Sequence, residues 1–195
     1  GLGDVYKRQP AMMMALAGMR EKPSIIVPGG STLAPKNGED AGKIQSIGAR
    51  FAQGEITLDY AQDMGCKACA SPGGGCQFLG TAGTSQVIAE SLGIALTHSA
   101  CTPSGTPAWK NNAKRSAMAL MNLEENKISI QDILTDKAFE NAMVLHAACG
   151  GSTNLLLHLP AIAHAVGRKR MNVEDWSRVN SYAVSYTHLT LPTRS

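Results

Sequence analysis

Ser24-Ile25-Ile26-Val27-Pro28-Gly29-Gly30 (SIIVPGG, residues 24–30) decides how the rest of the chain is read. The run is apolar on both faces, follows a segment rich in Ala, Met and Leu, and ends in Gly-Gly. That pattern predicts a buried parallel strand with a loop at its C-terminal end. Ligands in open α/β sheets gather at such ends. The loop from Gly29 to Asp40 is thus a candidate substrate contact, with a plain connection as the equal alternative. A parallel sheet flanked by helices, an α/β fold, is the expectation.

Helical patterns surround this run. Residues 11–19 upstream are good helix formers. Downstream, Asp40 to Gln53 places Ala41, Ile44, Ile47 and Phe51 on one face. Thr57 caps a short helix predicted to stop at Gly65. Further helices are expected over Ala82–Leu92, from Thr106-Pro107 to about Glu124, and over a short stretch opened by a Ser129–Asp132 capping box. Others run from Thr135 or Asp136 to Ala148, broken by Gly150-Gly151, and over Leu155–Val166, where Ser152, Thr153 and Asn154 offer caps and Pro160 should kink or split off the first turn. A last helix starts between Asn172 and Asp175.

The chain has 195 residues, of which 44% are hydrophobic and 17% charged, a globular composition with few aromatics. Residues 1–9 and the tail 183–195 resemble translated sequencing-adapter junctions and are set apart from the native segment 10–182. Three of the 18 basic residues and one of the 15 acidic ones lie in those ends, which leaves a net charge of +1. No basic cluster with interleaved aromatics points to nucleic acid. The most apolar run, Leu155 to Val166, is too short to span a membrane and contains two histidines. With no secretory signal, the five cysteines read as reduced thiols in a cytoplasmic protein. The chain is expected to be an internal fragment of something longer.

Cys66, Cys69 and Cys76 form C-x2-C-x6-C. Zinc ribbons need a second cysteine pair; iron–sulfur clusters accept irregular spacings and ligands from distant segments. A buried apolar thiol is the bland alternative. Cys76 is the strongest single candidate for a metal-binding thiolate. Gly73-Gly74-Gly75 lets its backbone approach a cofactor, and a helix opening soon after it puts a positive dipole end nearby. Gly150-Gly151-Ser152-Thr153-Asn154 is the second candidate site, suited to a carboxylate or sugar hydroxyls; an ordinary helix break with a Ser/Thr cap is its alternative. His146 and His158 flank it and read more simply as packing residues. Cys101 and Cys149 read as structural, and Asp136, Glu140 and Glu174 as carboxylates at helix starts.

Taken together, GGGCQFLGTAGTSQVIAESLG (73–93), ENAMVLHAACGGSTNLLLHLPAIAHA (140–165) and SIIVPGG (24–30) resemble the dihydroxy-acid and phosphogluconate dehydratase superfamily (IlvD/Edd). The resemblance covers residues 10–182, and within the superfamily it is strongest to the sugar-acid branch that dehydrates D-xylonate. It implies a partial N-terminal α/β domain of a hydro-lyase that converts a sugar acid to a 2-keto-3-deoxy acid, using an iron–sulfur cluster ([2Fe–2S] or [4Fe–4S]) and Mg2+. It further implies a homo-oligomer acting on a small sugar acid, without nucleic acid or membrane. The family's G-x-C-x-x-x-G-T-A loop carries one cluster cysteine over to Cys76, but not to Cys66 or Cys69. Ser152, Thr153 and Asn154 match a family signature near the active site and are implied substrate contacts. The family's Cys-Asp-Lys motif would fall just before Pro10, and its distal glutamate ligand and catalytic serine beyond residue 182. The fragment alone is therefore expected to be inactive. Two other functions stay open: a dihydroxy-acid dehydratase of branched-chain amino acid synthesis, and a non-catalytic zinc or redox module on Cys66, Cys69 and Cys76.

Overall fold

The computed structural model describes residues 5–33, 35, 38–39, 41–67, 75 and 82–183. Among them the chain forms ten helices: α1 (Val5–Gly18), α2 (Ala41–Gln45), α3 (Ile47–Ala52), α4 (Leu58–Lys67), α5 (Thr84–Ser91), α6 (Pro107–Glu125), α7 (Ile130–Ile133), α8 (Asp136–Cys149), α9 (Leu155–Val166) and α10 (Val173–Tyr182). α1 packs against α9, α5 and α7, and α8 packs against α5 and α10. The core they enclose is mostly aliphatic, with Met13 and Ala17 from α1, Ile88 from α5, Leu92 just after it, Leu159 and Ile162 from α9, and Trp176 and Val179 from α10.

The expected strand is not assembled among the described residues. Residues 23–30 lie in irregular backbone, with Ile26 donating its N–H to the Ile94 carbonyl at 2.6 Å. Two isolated parallel bridges follow, pairing Ser31 with Gly75 on one side and with Pro103 on the other. The direction of pairing is the one the sequence predicts, but each ladder is a single bridge long. Val27, expected to be buried on a two-sided sheet, is 40% exposed. A run apolar on both faces is buried on both only when neighbours cover both.

Local signals explain several helix ends. Thr106 and Thr135 accept from the backbone N–H groups of Trp109 (3.3 Å) and Ala138 (3.2 Å). Ser129 with Asp132, and Asn172 with Asp175, form reciprocal capping boxes. α8 ends at Gly150 in the left-handed conformation. Three expectations are corrected. Residues 40–53 do not form one helix: α2 and α3 part at Ser46, whose hydroxyl turns back to the Lys43 carbonyl at 2.9 Å. The face with Phe51 is not a core face, because α3 buries no residue and Phe51 is 44% exposed. α4 does not stop at Gly65 but continues to Lys67, which pairs with Asp63 one turn back.

α2, α3 and α4 pack on one another as a satellite of the main core. Their tie is Glu39, which takes both terminal nitrogens of Arg50 and the hydroxyl of Tyr60 (2.9 Å). The Arg50 guanidinium holds the Glu39 carboxyl below the usual range, and that carboxylate pushes the Tyr60 phenol up. No helix among the described residues is long and apolar enough to cross a membrane.

Candidate functional site: loops around helix α5

The three motifs picked out from the sequence meet at α5. Gly75 lies beside the opening of this helix, where an added Cβ would sit 3.3 Å from the Ala82 Cβ and 3.4 Å from the Gln86 amide nitrogen. Its N–H donates to the Gly30 carbonyl (2.7 Å), and its own carbonyl accepts from Thr32 (2.9 Å). The segment after SIIVPGG and Gly75 are thereby laced together. On the other side of residues 30–32, Ser31 donates its N–H to Thr102 and accepts from Ser104, while its hydroxyl donates to the Cys101 carbonyl at 2.8 Å.

Gly30 is the hinge of this arrangement. Its φ is +77°, and a Cβ there would lie 2.1 Å from the Thr102 carbonyl oxygen. Only a residue without a side chain permits that approach.

Gln86 holds the centre. It is 1% exposed, its Nε2 donates to the Gly30 carbonyl (3.0 Å), and its Oε1 accepts the Cys101 N–H (3.1 Å). Glu90, one turn on, accepts from His98 N–H (2.7 Å) and Ala100 N–H (3.0 Å). His98 and Cys101 both have positive φ, at 64° and 57°. Such strain persists only where surrounding bonds over-determine the backbone, and Gln86 and Glu90 supply those bonds. Sequence reasoning missed both side chains. The available signal was a pair of polar residues four apart on a helix otherwise built of small and apolar ones.

The Gly150–Asn154 loop reaches the other side of the α5 opening. Thr84 is buried, and its hydroxyl accepts the Ser152 N–H at 3.1 Å. His146, from the last turn of α8, meets the Ser152 carbonyl with Nε2 at 2.9 Å and sets its ring edge-on to Trp176, centroids 5.2 Å apart. A carbonyl only accepts, so Nε2 carries the proton. Gly151 lets the loop pass: a Cβ there would fall 2.7 Å from the His146 ring.

Of the three candidate substrate residues, Ser152 is buried and its hydroxyl accepts from the Asn154 side chain (2.8 Å) and backbone (3.4 Å). Thr153 is exposed and Asn154 half-buried. The expected side-chain cap on α9 does not form, because Asn154 is itself helical and spends its amide on Ser152. The first bonds of α9 run back three residues, to Ser152, Thr153 and Asn154 carbonyls. Pro160 is accommodated inside α9. The half-buried His158 is pushed down by burial.

Cys76 and Cys69 lie outside the described residues. Cys66 is exposed in the last turn of α4. Burial pushes the Cys149 thiol up, and burial together with Glu90 pushes the Cys101 thiol up. Among the described residues no group of three or more His, Cys, Asp or Glu could hold a metal ion. Gly75, the residue before Cys76, is pinned through both its N–H and its carbonyl.

Comparison with known proteins places these observations in a lineage. The model of the dihydroxy-acid/6-phosphogluconate dehydratase N-terminal region matches residues 3–190, beyond both 10 and 182. The D-xylonate dehydratases YagF and YjhG of Escherichia coli (strain K12) are 61% and 59% identical over 180 residues, which is 92% of this chain and 28% of each of those proteins. A dihydroxy-acid dehydratase of Sulfurisphaera tokodaii is 40% identical over 89% of this chain and 31% of its own length. The chain thus spans under a third of these curated relatives. With three sequence motifs meeting at one helix and a family model covering nearly all of its length, the chain belongs to the dihydroxy-acid/6-phosphogluconate dehydratase family, in its N-terminal region.

Proposed function

We propose that this chain is part of a hydro-lyase that removes water from a sugar acid, D-xylonate or a related aldonate, to leave a 2-keto-3-deoxy acid. The observation that carries the reading is the gap in identity: about 60% to two D-xylonate dehydratases, against 40% to a dihydroxy-acid dehydratase. Cys76 is the proposed iron–sulfur ligand, and Thr153 and Asn154, with the Ser152 backbone fixed beneath them, are the proposed substrate contacts. When bound, the cluster and Mg2+ supply Lewis-acid polarisation of the substrate's oxygens. The residues of this chain hold Gly75, next to Cys76, through both backbone groups, and hold Ser152 against Thr84 at the start of α5.

The α/β architecture belongs to the same reading. The segment 24–30, with parallel bridges just beyond it, is proposed as a strand whose neighbours come from the remainder of the full-length protein. A groove of about 270 Å3 beside it, lined by Met12, Leu16, Ile25 and Val27, supports this. A homo-oligomeric, cytoplasmic enzyme completes the proposal.

Anaerobic purification of the full-length protein and a keto-acid assay test it. Turnover of pentonates or hexonates in preference to branched-chain dihydroxy acids is expected. Turnover of branched-chain acids alone would move the assignment to dihydroxy-acid dehydratase, and no product from either class would sink it. One zinc per chain without iron or sulfide would favour the Cys66–Cys69–Cys76 module. Cys76→Ser should abolish the cluster's visible absorbance; unchanged absorbance would remove Cys76 from the site.

A further inference from the structure

We propose that the outer face of α6 docks a second copy of this chain. The two α6 helices run antiparallel about a twofold axis, with Lys114 of each copy against Glu125 of the other and Met118 against Met121. The proposal gives a face to the homo-oligomer of the functional reading and rests on that part of it alone.

α6 is the longest helix among the described residues, at 19 residues, yet the only residues it buries are Asn112 and Ser116, both polar. It is tied to the molecule near its start. The Trp109 indole donates to the Pro28 carbonyl (2.9 Å), and the Asn112 amide donates to the Thr102 hydroxyl (3.0 Å). Beyond Ser116 the helix turns apolar side chains outward: Met118 is 65% and Met121 62% exposed. Pro23, Leu120 and Met121 continue this apolar surface into a depression of about 390 Å3 that Glu124 and Glu125 also line. Methionine is enriched at protein interfaces because its flexible thioether adapts to a partner.

The flanking charges select the partner. Spacings of four, three and four put Lys114, Met118, Met121 and Glu125 on one stripe of α6. Read from either end, the stripe is charge, methionine, methionine, charge, with the sign reversed. An isologous contact places residue i on j and j on i. A helix laid antiparallel on its own copy, with the axis between Ala119 and Leu120, therefore meets opposite charges at both ends and methionines in the middle. A parallel pairing would set Lys114 on Lys114 and Glu125 on Glu125. All four side chains are exposed. No ion pair joins Lys114 or Glu125 to another described residue, so both charges are available to a partner.

The test uses the full-length protein and follows its mass on dilution by analytical ultracentrifugation. The mass should halve around a dissociation midpoint. Lys114→Glu and Glu125→Lys should each raise that midpoint about tenfold, because two pairs per dimer turn repulsive. The two substitutions together should return it to within about threefold of the unsubstituted value. A midpoint unmoved by either single substitution, or a double variant no better than the singles, would overturn the proposal. So would a fall in Tm with an unchanged midpoint, which would give the α6 face to the rest of the full-length chain. If a variant does not accumulate, zero-length carbodiimide cross-linking of the unsubstituted protein decides. Lys114 and Glu125 lie about 16 Å apart along one helix, beyond the joint reach of their side chains, so an amide between them forms only between copies. Its absence from a peptide map of the cross-linked oligomer would overturn the proposal. A full-length protein that is monomeric at every concentration would sink the homo-oligomer reading as well, whereas an oligomer whose midpoint ignores both charges would sink this face alone.

Discussion

Gly30 and Gly105 both hold positive φ, at 77° and 74°, yet they answer to different constraints. Around Gly105 a Cβ would meet nothing within 4 Å, so Gly105→Ala should cost only about 1 kcal/mol of backbone strain. At Gly30 the same methyl would drive into the Thr102 carbonyl, and neither neighbour is a flexible side chain that can yield. Gly30→Ala should cost more than about 3 kcal/mol, strain and displacement together. Urea denaturation of both variants checks this, and equal midpoints would show that the 30–31 and 102–104 segments move apart freely. At this scale the sequence was a partial guide. SIIVPGG and GGSTN were found by their glycines and hydroxyls. Gln86 and Thr84 were not, because each acts on a backbone group far along the chain, and His146, noticed beside GGSTN, was read only as packing although its Nε2 meets the Ser152 carbonyl. Nothing local marks a glutamine whose partners sit 56 residues back and 15 residues ahead.

Among elements, caps were the most legible feature. Thr106-Pro107, Ser129–Asp132, Thr135 and Asn172–Asp175 depend on bonds that span three residues, so the sequence contains both partners. Thr135→Ala should lower stability by about 1 kcal/mol, read as a shifted denaturation midpoint; no shift would mean that α8 owes its start to packing alone. The Ser152–Asn154 stretch has the same residue types but is bound by Thr84 and His146, and tertiary bonds override the local cap. A pH dependence follows from Glu39 and Asp132. Arg50 depresses the first, and the Ser129 hydroxyl depresses the second. A carboxyl with a lowered folded-state pKa stabilises above its unfolded value, and that gain is lost as pH falls through the folded one. Unfolding midpoints should therefore be level above about pH 5 and decline below about pH 4. In Glu39→Gln the decline should be shallower, and an unchanged slope would remove Glu39 as a contributor.

At the scale of the whole molecule, most of the expected helices form, whereas the expected parallel sheet is not assembled among the described residues. Amphipathic and capped segments declare themselves one at a time. A parallel sheet is a property of several segments at once, and residues 24–30 have only a bridge on each side of Ser31 to show for it. The same view separates a main core from a satellite. α9 buries Leu155, Leu159, Ile162, Ala163 and Val166, whereas α4 buries Met64 alone and α3 nothing. Elements with few buried apolar contacts open locally at lower free energy. Hydrogen exchange should show α3 and α4 opening well before α8 and α9; equal protection would mean that the Glu39–Arg50–Tyr60 tie makes the satellite part of the main cooperative unit.

The two tryptophans touch different loops of the candidate site. Trp109 donates its indole N–H to the Pro28 carbonyl at 2.9 Å, on the segment that leads to Gly30. Trp176 takes the edge of His146, which in turn touches the Ser152 carbonyl. Each indole is one contact away from a different loop of the candidate site. Fluorescence of Trp176→Phe and Trp109→Phe proteins would therefore give two optical channels, the first reporting the Gly29–Ser31 loop through Trp109 and the second the Gly151–Asn154 loop through Trp176.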